Sequence, residues 1–149
     1  MLALPAFGQN SLYNQAISPD RRILMRTVIT SDKAPRALGP YSVAIQTDSL
    51  VFCSGQLGLD PQTGDLVAGG VEAQTRQSLT NLQHVLEAAG SGMSQVVKTT
   101  VFLQDMADFP KMNAIYGEFF TANCPARSTV AVAGLPKGGL VEIEAIALK

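Results

Sequence analysis

The chemistry this chain can offer is concentrated near its C-terminal end. Arg127 opens the β-prone run Arg127-Ser128-Thr129-Val130-Ala131-Val132, and Glu142 and Glu144 interrupt the apolar run Leu140-Val141-Glu142-Ile143-Glu144-Ala145-Ile146-Ala147. Only 15% of the residues are charged, so three charges on β-prone segments ask for a reason. Side chains two apart on a strand share a face, which puts both carboxylates side by side. A guanidinium presents a planar fork that grips a carboxylate through two parallel hydrogen bonds, and a partly desolvated glutamate can hold or pass a proton. From spacing alone, an ordinary ion pair from Arg127 to Glu142 or Glu144 across neighbouring strands is the favoured reading. Tyr41, directly after Gly39-Pro40, and the glycines Gly55 and Gly58, whose backbone a ligand can approach closely, complete the set.

Several mechanisms lack their parts. One histidine and two distant cysteines, Cys53 and Cys124, supply neither a His/Cys zinc site nor a C-x-x-C dithiol. The chain has no G-x-S-x-G elbow, no P-loop and no G-x-G-x-x-G fingerprint. Gly134 to Gly139 is glycine-rich, but its lysine lacks the P-loop spacing, so the segment reads as a turn. A net charge of -1 without a basic run argues against a nucleic-acid surface, and no apolar stretch is long enough to span a membrane.

The elements that must position these groups fit one α+β domain over residues 26–149, long enough for a single core. Residues 26–30, 43–47 and 50–54 read as strands, the last two joined by Thr47-Asp48-Ser49, and Gly55 to Asp65 as a loop. Val71 to Ala89 has helical periodicity, with Gly90 in the capping position and His84 on its polar side. Val96 to Leu103 is a strong strand. Asp108 is placed to cap a second helix carrying Phe109, Met112, Ile115, Tyr116, Phe119 and Phe120, and residues 128–133 and 140–148 close the chain as strands. Residues 1–25 have no period and read as a loosely ordered extension. It does not read convincingly as a Sec or a twin-arginine signal, its scarcity of acidic residues leaves an organellar transit peptide open, and Met25 could equally start translation.

Four blocks in order resemble the RidA/YjgF family of enamine/imine deaminases. They are Ala34-Pro35 with Gly39-Pro40-Tyr41-Ser42; Ser54-Gly55-Gln56-Leu57-Gly58 with Thr63-Gly64; Val97-Lys98-Thr99-Thr100-Val101; and Pro125-Ala126-Arg127-Ser128 through Glu142-Ile143-Glu144-Ala145. The resemblance implies a small chorismate-mutase-like domain, a mixed β-sheet packed by two helices on one face, assembled as a homotrimer with active sites between subunits. It implies hydrolysis of 2-enamine/2-imine acids, such as 2-aminoacrylate and 2-iminobutanoate, to 2-keto acids and ammonia, with no cofactor or metal.

Carried onto this sequence, Arg127 would bind the substrate carboxylate with help from the Gly55 backbone. Tyr41 would line the pocket, Glu142 would place water or shuttle protons, and the Thr129 carbonyl would face the ligand, while Glu144 is expected in a plain salt bridge. The resemblance thus reverses the ion-pair reading of Arg127. A cytoplasmic location is expected, or an organelle if residues 1–25 direct import. The rival readings are a non-enzymatic chaperone-like or keto-acid-sensing protein, and an endoribonuclease. A lone histidine and the missing basic patch count against the last.

Overall fold

Two crossovers running the same way set the architecture. The computed structural model describes residues 26–149, so the expected N-terminal extension lies outside the described residues. In chain order the elements are β1 (Thr27–Ile29), β2 (Ala44–Gln46), β3 (Leu50–Leu57), α1 (Gly70–Ala88), β4 (Val96–Leu103), α2 (Phe109–Phe119), β5 (Ala126–Ala131) and β6 (Val141–Leu148). They form one six-stranded sheet in the order β1-β2-β3-β6-β4-β5. β4 and β5 pair in parallel, and every other neighbouring pair is antiparallel. Because β6 runs against both β3 and β4, those two strands are parallel to each other. Thus α1 and α2 each link parallel strands, both moving toward β5, and a shared right-handed crossover puts both helices on one face.

The helix-facing side holds the core. Along β6, Val141, Ile143, Ala145 and Ala147 are buried, while Glu142, Glu144, Ile146 and Leu148 turn to the other face. Leu79, Leu82, Val85 and Leu86 of α1 are fully enclosed against this surface, each contributing roughly 1.5–3 kcal/mol before chain entropy is counted. α1 ends in a Schellman arrangement: Gly90, at φ 74°, donates to the Glu87 carbonyl at 3.0 Å and Ser91 to that of Leu86 at 2.9 Å.

Among the described residues, no helix covers the opposite face. One cross-strand row runs through all six strands as Val28, Ile45, Phe52, Ile146, Lys98 and Ala126. Phe52, Val130 and Leu148 remain more than 40% exposed there, an apolar surface larger than scattered single residues would give.

Two local expectations need correction. The cap at the start of the second helical region is Asp105, whose side chain accepts from the Ala107 N–H at 2.9 Å and opens a short 3-10 turn. Asp108 makes no cap bond and instead faces Lys111 at 3.5 Å. Gly55 is not in a loop, because β3 continues to Leu57 through an irregularity that begins after Cys53. A step of three residues on β3 matches a step of two on β6, so one extra residue bulges next to Glu144.

Candidate functional site

The bulge in β3 creates a cleft and aims a carboxylate into it. A Cβ built on Gly55 would lie 1.9 Å from Glu142 Oε1 and 2.8 Å from its Cγ, so only glycine leaves room for this carboxylate. Gly58, three residues on, packs against the backbone of α1, where a Cβ would meet Gln74 Cα and its carbonyl oxygen at 2.6 Å. One polar stripe of α1 pins the segment between. The Ser78 hydroxyl donates to the Gln56 carbonyl at 2.7 Å, and Asn81 Nδ2 donates to the carbonyls of Leu57 and Leu59 at 3.2 and 2.9 Å. Gln74 Oε1 accepts from the Leu140 N–H at 2.8 Å, tying in the start of β6. These buried residues sit on one helix face and satisfy the carbonyls of Gln56, Leu57 and Leu59 and the N–H of Leu140.

The cleft measures about 180 Å³ and is lined by Tyr41, Gly55, Leu57, Leu59, Pro136 and Glu142, among others. Tyr41 is half-exposed and stands on a curled loop, its hydroxyl accepting from the Leu38 N–H at 3.2 Å. Glu142 is half-buried and has no hydrogen-bond or ion-pair partner among the described residues. Burial pushes its carboxyl above the usual glutamate range, and the charge of Glu144 pushes the same way. A carboxyl held in this way is suited to taking and returning a proton.

The other predicted residues lie elsewhere. Arg127 sits on edge strand β5 in register with Thr99, which in turn pairs with Ala145, and therefore faces the helices. Glu142 pairs with Phe102 on the opposite face, two strands away. The ion pair between Arg127 and either glutamate is thus ruled out within the chain. Instead Arg127 Nη2 donates to Asn113 Oδ1 at 2.7 Å, and the guanidinium carbon lies 4.5 Å from the Tyr116 ring centre and 5.5 Å from that of Phe109. Thr129 shares Arg127's face of β5, and its hydroxyl oxygen is shielded and without a partner among the described residues. The salt bridge expected of Glu144 is also absent among the described residues: Glu144 is exposed, and nearby Lys98 donates to the Thr99 carbonyl and the Ser128 hydroxyl.

The structure therefore joins Tyr41, Gly55 and Glu142 in one cleft and sets Arg127 and Thr129 apart from them. The sequence reading did not single out Asn113 or the Gln74, Ser78 and Asn81 stripe. A stripe of polar residues at helical spacing inside an otherwise apolar face was the available signal for the latter.

Nucleophilic alternatives have little support. Burial pushes the Cys53 thiol up to about 12, which keeps it protonated. Cys124 is exposed at the opposite edge, its thiol donating to the Phe120 carbonyl. No cluster of metal-ligating side chains occurs among the described residues. His84 donates from Nδ1 to the Lys33 carbonyl at 2.9 Å, a structural contact. Lys137, at φ 58°, belongs to the tight turn at Pro136–Gly138.

Fold and site together define a small α+β domain with a half-buried carboxylate in a cleft on one side of the sheet and a seated guanidinium on the other. The chain belongs to the family described as endoribonuclease L-PSP, which matches residues 31–149. Its similar proteins include the mouse 2-iminobutanoate/2-iminopropanoate deaminase, 52% identical over 85% of this chain and 93% of that protein. The human protein of the same name is 49% identical over 85% and 92%. The Arabidopsis thaliana protein named reactive intermediate deaminase A, chloroplastic, is 49% identical over 89% of this chain and 71% of its own length. Among solved structures, Escherichia coli TdcF with bound serine superposes with a TM-score of 0.79 at 43% identity, covering 83% of this chain and 98% of TdcF. RidA from a Psychrobacter species gives 0.80 at 44%, over 83% and 99%.

Proposed function

We propose that this protein hydrolyses reactive 2-enamine/2-imine acids to 2-keto acids and ammonia, as the names of its roughly 50% identical relatives describe. The observation that carries the reading is the unpartnered Glu142 carboxylate, half-buried against Gly55 in a cleft of small-molecule size. A protonated 2-imino acid is already electrophilic at C2. Water adds there as Glu142 takes its proton, giving a carbinolamine. Glu142 then returns the proton to the amino nitrogen, the C–N bond breaks with ammonia leaving, and the proton of the remaining hydroxyl passes to that ammonia, giving the keto oxygen and ammonium. Placing one water and one base against a bound electrophile accounts for several kcal/mol of barrier on general grounds.

The substrate carboxylate is held by the Arg127 fork and the Gly55 backbone N–H, with Tyr41 and the Thr129 carbonyl lining the pocket. Since Arg127 and Glu142 occupy opposite faces of one sheet, the pocket takes them from two copies of the chain. A homotrimer of the chorismate-mutase-like kind, with its sites between subunits, meets that need and also covers the exposed face around Phe52, Val130 and Leu148. We place the protein in the cytoplasm, or in an organelle if residues 1–25 direct import. No helix among the described residues is long and apolar enough to cross a membrane.

The test generates 2-iminobutanoate in situ with a dehydratase and follows 2-oxobutanoate release. Acceleration over buffer is expected, and none would sink the assignment. The endoribonuclease name of the family favours RNA cleavage as a second reading, although His84 is the chain's one histidine and is spent on a backbone carbonyl. RNA binding that weakens steeply with salt and RNA cleavage by the purified protein would support it.

A further inference from the structure

We infer that Asn113 is a positioning residue for Arg127, and that its neutrality is what keeps the guanidinium available to a carboxylate substrate; this rests on the deaminase reading above. Phe109, Asn113 and Tyr116 follow one another at steps of four and three along α2 and so share one face of the helix. That face meets β5 at Arg127. The guanidinium carbon lies over the Tyr116 and Phe109 rings, and Asn113 Oδ1 takes one N–H of Nη2 at 2.7 Å. Tyr116 is itself fixed, buried to 5% exposure with its hydroxyl 2.7 Å from the Thr99 hydroxyl and its ring stacked at 4.5 Å on Phe120.

Aromatic faces and a single amide acceptor orient a guanidinium without cancelling its charge. One of five N–H donors is used, which leaves an edge free for the two parallel bonds that a carboxylate needs. An aspartate in the same place would be almost isosteric, yet it would close a salt bridge with Arg127 and compete with the substrate for the fork. Asn113 is exposed and makes no core contact that the fold depends on, so substitutions there leave the core intact.

The experiment compares the wild type with Asn113→Ala and Asn113→Asp by steady-state kinetics on 2-iminobutanoate and by calorimetric binding of 2-oxobutanoate, which needs no turnover. With Asn113→Ala we expect KM and the oxo-acid Kd to rise about tenfold with kcat little changed, because orientation is lost but charge is kept. With Asn113→Asp, the closer mimic in shape, the rise is about a hundredfold, because the fork is occupied. Thermal melting is expected to be unchanged or slightly higher for Asn113→Asp. An aspartate variant that binds as well as the wild type, or better than the alanine variant, overturns the inference while leaving the deaminase reading in place. A wild type that neither hydrolyses the imine nor binds the oxo acid overturns both.

Discussion

The β3–β6 cleft and the β5–α2 edge handle charge in opposite ways. In the cleft, Glu142 is stripped of partners, half-buried and set two residues from a second carboxylate, all of which favour its protonated form. At the edge, Arg127 is packed on two rings and one amide, all neutral, so none of these contacts cancels its charge. On the proposed reading one region exchanges a proton and the other holds an anion, and the sheet between them keeps the two charges from neutralising each other.

The largest effect expected on this contrast comes from Glu142→Gln, which keeps shape and removes the base. Turnover should fall about a thousandfold, within the range for loss of general acid–base catalysis, with oxo-acid binding nearly intact; a loss in binding rather than in kcat would move Glu142 to recognition. The same variant carries a sign for stability. The folded state of the wild type holds the Glu142 proton more tightly than the unfolded chain does, so stability falls as pH rises through the window between the ordinary and the raised value. Above that window Glu142→Gln should therefore melt higher than the wild type, and an unchanged melt would mean that the carboxylate is not under desolvation pressure.

Next comes Arg127→Lys, which replaces a fork with a point charge and should cost about a hundredfold in kcat/KM. Full activity would place carboxylate recognition elsewhere. Gly55 in the bulge and Gly58 just beyond β3 separate function from stability. Gly55→Ala displaces the end of a flexible side chain, so it should fold normally and lose roughly tenfold to a hundredfold in activity by moving Glu142. Gly58→Ala drives a methyl into the Gln74 backbone and should lower stability by about 1–3 kcal/mol. Melting curves and rates measured on both would show whether the effects divide in this way. The smallest change is expected from Glu144→Gln, which removes the secondary cause of the Glu142 shift: the acid limb of the kcat profile moves to lower pH. A limb that stays in place would show that burial alone sets it.

The two regions also differed in how legible they were from sequence. β6 could be read residue by residue, because alternation between core and outward positions fixes the face of Glu142 and Glu144. The strand β4 was readable end to end, and Gly90 marked the close of α1. Gly55 was misread as loop because glycine signals both a turn and a bulge, and only pairing with β6 shows which. Arg127 was harder still. On a largely exposed edge strand the apolar pattern does not say which face is which, and register with β4, invisible in the sequence, decides it. The face of α2 that receives Arg127 was hidden for the same reason, since Asn113 looks like any polar residue on a solvated helix.

The central claim is that Glu142 and Arg127 act together only across two copies of the chain, and mixing the two crippled variants tests it most directly. Glu142→Gln and Arg127→Lys proteins, unfolded together at equal concentration and refolded, assort into mixed assemblies in which some sites draw an intact arginine from one chain and an intact glutamate from its neighbour. For random assortment around a closed ring, about one quarter of the sites are whole, and about one quarter of wild-type activity should return. Activity in the mixture no higher than the average of the two variants alone would contradict the account, since it would mean that both residues must come from the same chain.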